Sequence, residues 1–414
     1  MSGSRRPVVL TALPDAWDAA VVGALGGRVE VERRCVDLAD LLAAAQAGLG
    51  QVAVVSPALR GLDLSAVRDL RLQSVGVLGL VGAEDEAGEA RLRQIGVRHF
   101  VRPDAAPADL YGAVVAALAT SPPAPTAAED EAAAPPAPAT GQVVVVWGPH
   151  GAPGRTTTAV NLAAELAVLG REVLLVDLDT HAASVAQHLA VLDEAPGVAA
   201  ACRAAEHGTL DVAALTRLAP VALPRLRVLT GLPAAERWPE LRGGAVERLL
   251  EVARLDTDVV VVDCAASLED DEELSYDTVA PRRNMATLAA LELADAVVLV
   301  GAADPVGLQR LVRGAQELSE RGLTPAHVVV NKVRASAVGP RPARQIEGVL
   351  ARFVGLEDPC LVPFEPDQVD AALLSGRALH ESADGAPVRQ AFATLAARLV
   401  SELADDQRDL TSSE

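Results

Sequence analysis

The stretch VVVVWGPHGAPGRTTTAVNLAAELA, residues 143–167, decides the fold of the larger part of this chain. Its four valines and Trp147 predict a strand buried on both faces, as the strands of parallel sheets are. A loop rich in glycine and proline follows, and Thr156 opens a predicted helix. Backbone N–H groups in such a loop can surround a phosphate, and the helix dipole favours its negative charge. The order of strand, glycine-rich loop and helix therefore predicts a phosphate-binding loop.

The loop departs from the common phosphate-loop pattern G-x-x-x-x-G-K-[ST] at two positions. Pro149 stands where that pattern has its first glycine, and Arg155 stands where it has lysine. Arginine keeps the positive charge, but its planar guanidinium is bulkier than an ammonium group. Nucleotide binding depends mainly on backbone N–H groups and one cation, whereas hydrolysis needs charge placed at the transition state. We therefore expect nucleotide binding, with hydrolysis that is slow or missing.

Near-continuous aliphatic runs recur after the loop, which is typical of strands in a parallel sheet covered by helices. We therefore predict a doubly wound α/β domain over residues 141–404, followed by an acidic tail at 405–414. The amphipathic pattern at 386–402 predicts a last helix packed on this sheet. The predicted strands are 141–147, 171–177, 225–231, 257–264, 295–301 and 326–331.

The first 120 residues alternate short apolar runs with helical patterns, which is typical of βα units in an open parallel sheet. We therefore predict a smaller doubly wound domain over residues 1–120. Its predicted strands are 7–10, 28–32, 51–55, 75–81 and 98–101, and its predicted helices are 16–25, 38–47, 65–72, 86–95 and 106–119.

Residues 121–140, SPPAPTAAEDEAAAPPAPAT, separate the two predicted domains. This segment holds six prolines and three acidic residues but no large apolar side chain. Such a composition cannot form a core and is typical of an extended, semi-stiff spacer. We therefore predict a disordered Pro/Ala-rich linker over residues 121–140.

Composition and charge exclude several classes of protein. With 36 basic and 56 acidic side chains the formal net charge is −20, which disfavours a nucleic-acid-binding surface. No apolar run reaches the roughly 18–20 residues that span a bilayer. The four cysteines are widely separated, which indicates neither a disulfide framework nor a zinc site. We expect a cytoplasmic protein with, at most, peripheral membrane association.

The segment HGAPGRT, residues 150–156, can be compared with the pattern KGG-x-GK-[ST]. Gly151, Gly154 and Thr156 match it. With this loop, the larger predicted domain resembles the ParA/MinD superfamily of deviant P-loop ATPases. The smaller predicted domain resembles a two-component receiver, but Ser56 and Pro57 stand where a receiver has its phosphorylated aspartate. The order of a pseudo-receiver and then an ATPase is similar to the CpaE/TadZ branch, which positions pilus and secretion assemblies.

The resemblance implies that the loop binds ATP, with the Thr156 hydroxyl on Mg²⁺ and Thr157 on the α-phosphate. Arg155 falls on the ordinary loop lysine, and His150 falls on the signature lysine that reaches across a dimer to the other subunit's phosphates. Arg155 and His150 are therefore candidate catalytic residues. The candidate nucleotide-binding residues of the loop are Gly151, Ala152, Pro153, Gly154, Arg155, Thr156 and Thr157.

Acidic residues at two predicted strand ends extend the resemblance. The stretch VLLVDLD, 173–179, contains Asp177 and Asp179. By the resemblance, Asp179 is the catalytic candidate that orients the attacking water, and Asp177 supports the metal. Asp263 ends the stretch TDVVVVDC, 257–264, at the Walker B position, where it would hold Mg²⁺ through a water molecule.

Two further matches lie where the superfamily holds the nucleotide base. Asn331 ends a predicted strand at the position that contacts adenine, and Pro363 falls in the stretch beside the base. An acidic segment at 269–277 occupies the position of the second switch. It is either a solvated loop or a contact for a basic partner.

We therefore expect an ATP-dependent positioning or assembly switch that forms a nucleotide-dependent homodimer and hydrolyses ATP slowly. Its partner is expected to be a protein of a pilus, secretion or cell-pole assembly. One alternative is a pseudo-ATPase scaffold that does not turn over nucleotide. A chromosome-partitioning ATPase is a further alternative, which the negative charge disfavours.

Overall fold

The computed structural model describes residues 6–119, 141–151, 153–191, 195–269 and 282–412. The chain divides into two compact units, one of Met1–Pro136 with Arg203–Leu210 and one of Ala137–Cys202 with Asp211–Glu414. The predicted linker at 121–140 and the core of the acidic segment, 270–277, lie outside the described residues. Within the described residues, no helix is both long enough and apolar enough to cross a bilayer.

The first unit contains a five-stranded parallel sheet in the order β2-β1-β3-β4-β5, which confirms the predicted fold class. This is the flavodoxin-like order of doubly wound sheets. Its strands are β1 (Val8–Ala12), β2 (Glu30–Arg34), β3 (Val52–Val55), β4 (Gly76–Leu80) and β5 (His99–Val101). Its helices are α1 (Asp15–Leu25), α2 (Leu38–Gln46), α3 (Leu64–Leu72), α4 (Glu86–Gln94) and α5 (Pro107–Ala119).

Aspartates are the N-cap residues of three consecutive helices of this unit. The side chains of Asp37, Asp63 and Asp85 each accept a hydrogen bond from the backbone N–H three residues further on. These caps satisfy N–H groups that have no partner inside the helix, and they place negative charge at its positive end. Each strand-to-helix turn is therefore specified by a local residue, while apolar clusters on both faces of the sheet form the core.

The second unit contains an eight-stranded sheet in the order β13-β12-β11-β6-β10-β7-β9-β8. All neighbouring pairs are parallel except β8 with β9, so this sheet is mainly parallel, as predicted. Its strands are β6 (Gln142–Trp147), β7 (Val173–Leu178), β8 (Val221–Leu223), β9 (Leu226–Leu229), β10 (Val259–Cys264), β11 (Ala296–Ala302), β12 (His327–Val333) and β13 (Cys360–Pro363).

Helices cover both faces of the second sheet, with a 3₁₀ helix at Ala235–Glu240. The last helix runs to Ser412, so it continues through most of the acidic tail that we placed after residue 404. The helices are α6 (Arg155–Val168), α7 (Val185–His188), α8 (Gly197–Glu206), α9 (Val212–Leu218), α10 (Gly243–Ala253), α11 (Met285–Glu292), α12 (Pro305–Glu320), α13 (Ala335–Val338), α14 (Pro342–Val354), α15 (Pro366–Ser375), α16 (Leu379–Ser382) and α17 (Pro387–Ser412).

A buried ion pair joins the helix that follows the phosphate loop, α6, to the last helix, α17. Nε and Nη2 of Arg389 donate to the two carboxylate oxygens of Glu165 at 2.7 and 3.0 Å. The Glu165 side chain is only 4% exposed, so its charge depends on this partner. Phe392, one turn further along α17, is fully buried in the same core. The last helix therefore holds the loop helix in place.

We predict that Arg389→Met lowers the free energy of unfolding by about 3–5 kcal/mol, because it leaves the Glu165 charge buried and unpaired. The matched control is Arg398→Met on the same helix, which removes an exposed pair with Asp358 and should cost about 0–1 kcal/mol. Urea denaturation followed by circular dichroism measures both. An equal loss of unfolding free energy in the two variants would show that the buried pair stabilises the protein no more than the exposed pair does.

Candidate nucleotide site

The loop between β6 and α6 has a backbone shape that requires glycine. Gly154 precedes the first residue of α6 and has a φ of 99°, in the left-handed region that glycine adopts without strain. A Cβ atom added there would lie 2.3 Å from Nδ2 of Asn331. Gly151 has a φ of 112°, and its Cβ would lie 2.1 Å from Nη1 of Arg310. The two glycines that the sequence singled out are therefore both structural requirements of the loop.

Asn331 ties the loop to the sheet. It lies in β12, two strands away from β6, and its side chain is buried. Its Nδ2 donates to the carbonyl of Pro153 at 2.8 Å, and its Oδ1 accepts from the N–H of Lys332 at 2.8 Å. Asn331 therefore positions the loop and also lines the cavity in front of it, and the contact with adenine expected from the sequence stays a prediction.

Arg155 lies across the carboxyl ends of the central strands, and its side chain is only 15% exposed. Its Nε donates to the carbonyl of Cys264 at 2.9 Å, while Nη1 donates to the carbonyls of Gly148 at 3.2 Å and Pro149 at 3.3 Å. Its Nη2 donates to Oδ2 of Asp179 at 3.3 Å. The guanidinium thus bonds to the protein itself on all sides.

Asp179 is buried directly after the end of β7, and both of its carboxylate oxygens accept hydrogen bonds. Its Oδ1 accepts from the N–H groups of His181 and Ala182 at 2.9 and 3.0 Å, and its Oδ2 accepts from Arg155. The two candidate catalytic side chains therefore neutralise each other in this structure. A phosphate or an attacking water would have to compete with that ion pair.

Two buried carboxyl groups lie side by side on neighbouring strands, since Asp177 and Asp263 are register partners in β7 and β10. Burial raises the pKa of Asp177 to about 7, although its carboxylate accepts N–H bonds from Asp179, Ser184 and Val185. Burial, followed by the charge of Asp177, raises the pKa of Asp263 well above its usual range. Asp177 is committed to backbone donors, which is a different contact from the metal support that we predicted.

Asp263, at the end of β10, is the second buried carboxyl group of the site. Both of its oxygens are buried, and neither has a well-formed hydrogen bond within the part of the chain that the structure describes. The Thr156 hydroxyl is the side-chain donor that lies close enough to lower its pKa. A buried carboxylate of this kind is costly unless a cation or a donor compensates its charge. The pair Thr156 and Asp263 therefore fits a divalent cation.

A cavity of about 400 Å³ opens in front of the loop. It extends from the loop and the start of α6 to the turn after β13, where Phe364 and Glu365 lie. Lys332, the neighbour of Asn331, also lines it, whereas sequence reasoning missed His188 and Asp370 on its wall, because nothing in their local sequence signals a site. The predicted site residues that line it are Pro153, Gly154, Arg155, Thr156, Thr157, Asp179, Asn331 and Pro363.

The remaining predicted residues lie elsewhere. His150 is exposed and lines a separate polar depression with Glu269 and Arg321. Asp177 and Asp263 are buried at the strand ends, and Gly151 shapes the loop without lining the cavity. Ala152 lies outside the described residues.

Residues 144–373, more than half of the chain, match the family model described as the CobQ/CobB/MinD/ParA nucleotide binding domain. The chain belongs to this family. The match starts in β6 and ends in α15, so it includes the loop, Asp177 of β7, Asp263 of β10 and all residues that line the cavity except Val388 and Phe392. The part of the chain that contains the phosphate loop is therefore a ParA/MinD-type nucleotide binding domain.

One curated relative and two solved structures are similar to about three fifths of the chain. Antiactivator FleN of Pseudomonas aeruginosa is 24% identical over 264 residues, which cover 62% of this chain and 86% of FleN. A ParA family ATPase of Chlorobium tepidum superposes with a TM-score of 0.52 at 18% identity, covering 62% of this chain and 98% of that structure. The cell division ATPase MinD of Pyrococcus furiosus gives a TM-score of 0.51 at 19% identity, covering 63% and 99%.

Replacing Gly154 tests the geometry of the loop. We predict that Gly154→Ala weakens ATP binding by at least about tenfold, since a Cβ costs roughly 1–2 kcal/mol in a left-handed backbone and also meets Asn331. Gly348→Ala, in α14 with open space around it, is the control and should bind ATP like the wild type. Isothermal titration calorimetry measures both. Unchanged affinity in Gly154→Ala would contradict this account of the loop.

The buried carboxyl groups predict how stability changes with pH. The folded pKa of Asp177 is about 7, above the unfolded value of about 3.9, so the folded state holds a proton that the unfolded state releases. The contribution of Asp177 to the stability of the nucleotide-free protein should therefore be fully present below about pH 4 and be lost as the pH rises from about 4 through about 7. Asp263 acts in the same direction. Denaturation midpoints across this range should show a shallower decline for Asp177→Asn, and an equal slope would contradict the assignment.

Proposed function

We propose that this chain is an ATP-dependent switch that positions a protein assembly, of the CpaE/TadZ type. One observation carries the binding part: a single cavity joins the phosphate loop at Gly154–Thr157 to the turn at Pro363 and Phe364. The loop end suits phosphates, because it offers N–H groups at a helix N-terminus. The far end suits a base, because Phe364 is 46% exposed beside Pro363 and Pro366, and the Arg334 guanidinium lies over its ring, 4.9 Å from the centroid.

Mg²⁺ fits the site through the Thr156 hydroxyl and Asp263, whose buried oxygens lack other partners within the described residues. Bound there, it would neutralise charge on the β- and γ-phosphates. Arg155 would then leave the carbonyls of Gly148, Pro149 and Cys264 and turn toward the phosphates. Asp179, released from Arg155, would be free to accept a hydrogen bond from the attacking water.

Exchange of the Arg155–Asp179 pair for ATP gives the switch two states. Without nucleotide, both side chains are compensated by each other and by backbone groups. With ATP, the arginine has a stronger acceptor, because a triphosphate carries more charge than one carboxylate. Breaking an existing ion pair in every cycle makes slow turnover the expected behaviour.

A homodimer is part of this proposal. His150 is exposed next to the loop and does not line the cavity, so its side chain is available to the phosphates of a second copy. The strand order 2-1-3-4-5 of the first unit supports a receiver-like docking module. Ser56 is buried at the end of β3 and cannot replace a phosphorylated aspartate. The relative FleN is named an antiactivator, which is the name of a regulatory protein, and this agrees with a switch.

We predict slow phosphate release from Mg-ATP by the wild type and a loss of roughly tenfold or more in Asp179→Ala, because the water loses its acceptor. Glu172→Ala, at the start of β7, removes an exposed ion pair with Arg225 and is the control. It should hydrolyse ATP at the wild-type rate. A coupled phosphate assay measures all three proteins.

The same assay separates the switch from a pseudo-ATPase scaffold. A scaffold would give equal background rates in the wild type and in Asp179→Ala, with ATP binding retained. No binding at millimolar ATP with Mg²⁺ would overturn the proposal altogether.

A further inference from the structure

An apolar groove lies between helices α12 and α14, on a part of the second unit that shares no lining residue with the nucleotide cavity. Its volume is about 620 Å³. Leu308 and Val312 of α12 form one wall, Val349 and Phe353 of α14 form the other, and Val338 closes one end. None of its lining residues among the described part of the chain carries a charge.

The groove is exposed to a degree that a packed core would not allow. Phe353 is 57% exposed although its ring belongs to an apolar wall. Exposed aromatic rings beside a concave apolar surface are typical of binding grooves. The lining positions are spaced three or four residues apart on both helices, so the groove runs along the helix pair.

The rim of the groove along α14 is basic, although the whole chain has a formal net charge of −20. Residues 341–353 carry three arginines, Arg341, Arg344 and Arg352, and one acidic residue, Glu347. Arg313 is next to Val312, and its side chain is 81% exposed. Arg341 continues the row that lines the groove on α14, and both Arg341 and Arg344 are exposed, with no carboxylate at ion-pair distance in the described ranges.

Arg352 adds a charge directly at the apolar wall. Its guanidinium lies over the ring of Phe353, 5.3 Å from the centroid. This places a cation and an aromatic face at the same point of the groove. An occupant that fits must therefore offer apolar side chains to the floor and acidic groups to the rim.

We propose that this groove binds an acidic amphipathic helix of a partner protein. A helix suits a groove between two helices, because its side chains at i, i+3, i+4 and i+7 present one apolar stripe. Glutamates flanking that stripe would face Arg313, Arg341, Arg344 and Arg352. Duplex DNA could contact the arginines through its phosphates, but it has no apolar stripe to bury against Phe353.

The probe is a fluorescein-labelled peptide of about 16 residues, the length of α12, with leucine at i, i+3, i+4 and i+7 and mostly glutamate elsewhere. Fluorescence anisotropy on the full-length chain should show saturable binding. The same peptide with lysine in place of glutamate should bind at least about tenfold more weakly, since like charges meet at the rim.

Phe353→Asp should weaken binding of the glutamate peptide by at least about tenfold, because it puts a charge on the apolar wall. The matched control is Leu255→Asp, which replaces a similarly exposed apolar residue after α10 and should stay within about twofold. The double variant Arg344→Glu/Arg352→Glu should weaken binding and reduce its salt dependence. Circular dichroism melts establish that each variant is folded.

Three results would overturn the proposal. They are equal binding of the glutamate and lysine peptides, no binding of the glutamate peptide to the folded wild type, and no effect of Phe353→Asp. Binding of a labelled DNA duplex that depends on the arginines but not on Phe353 would instead make the rim a nucleic-acid surface. Sedimentation that shows a dimer lost in Phe353→Asp would make the occupant a second copy of the chain.

Discussion

The site depends on one constraint, the close approach of the Gly154 backbone to the side chain of Asn331. A Cβ at Gly154 would lie 2.3 Å from Nδ2 of Asn331, and that nitrogen holds the carbonyl of Pro153. The bond fixes the loop to a strand that comes almost 180 residues later in the chain. Helix α6 starts where this loop ends, and the Glu165–Arg389 pair then fixes α6 to the last helix. Contacts within the protein therefore position the N–H groups of the loop that would face a phosphate.

Electrostatic compensation explains the nucleotide-free arrangement. Arg155 stands in place of the usual lysine and reaches three carbonyls and Asp179, because its fork has more donors than an ammonium group. Beneath it, Asp177 is satisfied by backbone N–H groups, while Asp263 has uncompensated buried oxygens within the described residues. The site thus contains an arginine, Arg155, whose hydrogen bonds are made within the protein, and a carboxylate, Asp263, whose charge is not compensated there. Mg²⁺ bound with nucleotide would compensate the Asp263 carboxylate, and the phosphates would draw Arg155 away from its present hydrogen-bond partners.

The sequence was sufficient for features that local geometry specifies. Gly151, Gly154 and Thr156 could be recognised because a loop that cradles phosphate needs glycines and a hydroxyl at fixed spacing. The role of Asn331 could not, since it depends on β12 lying two strands from β6. Strands β8 and β13 were missed because they are only three and four residues long, too short for a recognisable strand pattern. The apolar groove was also missed, because its walls come from helices separated in sequence.

The central claim is that the loop, the strand-end acids and the turn after β13 form one site for Mg-ATP. Amide hydrogen–deuterium exchange with and without Mg-ATP tests it directly, because bound nucleotide slows exchange of the N–H groups it contacts. The account predicts protection in two segments that are far apart in sequence, at 153–158 and at 364–370, with β1–β5 unchanged. Protection limited to one of these segments, or none at saturating nucleotide, would contradict it.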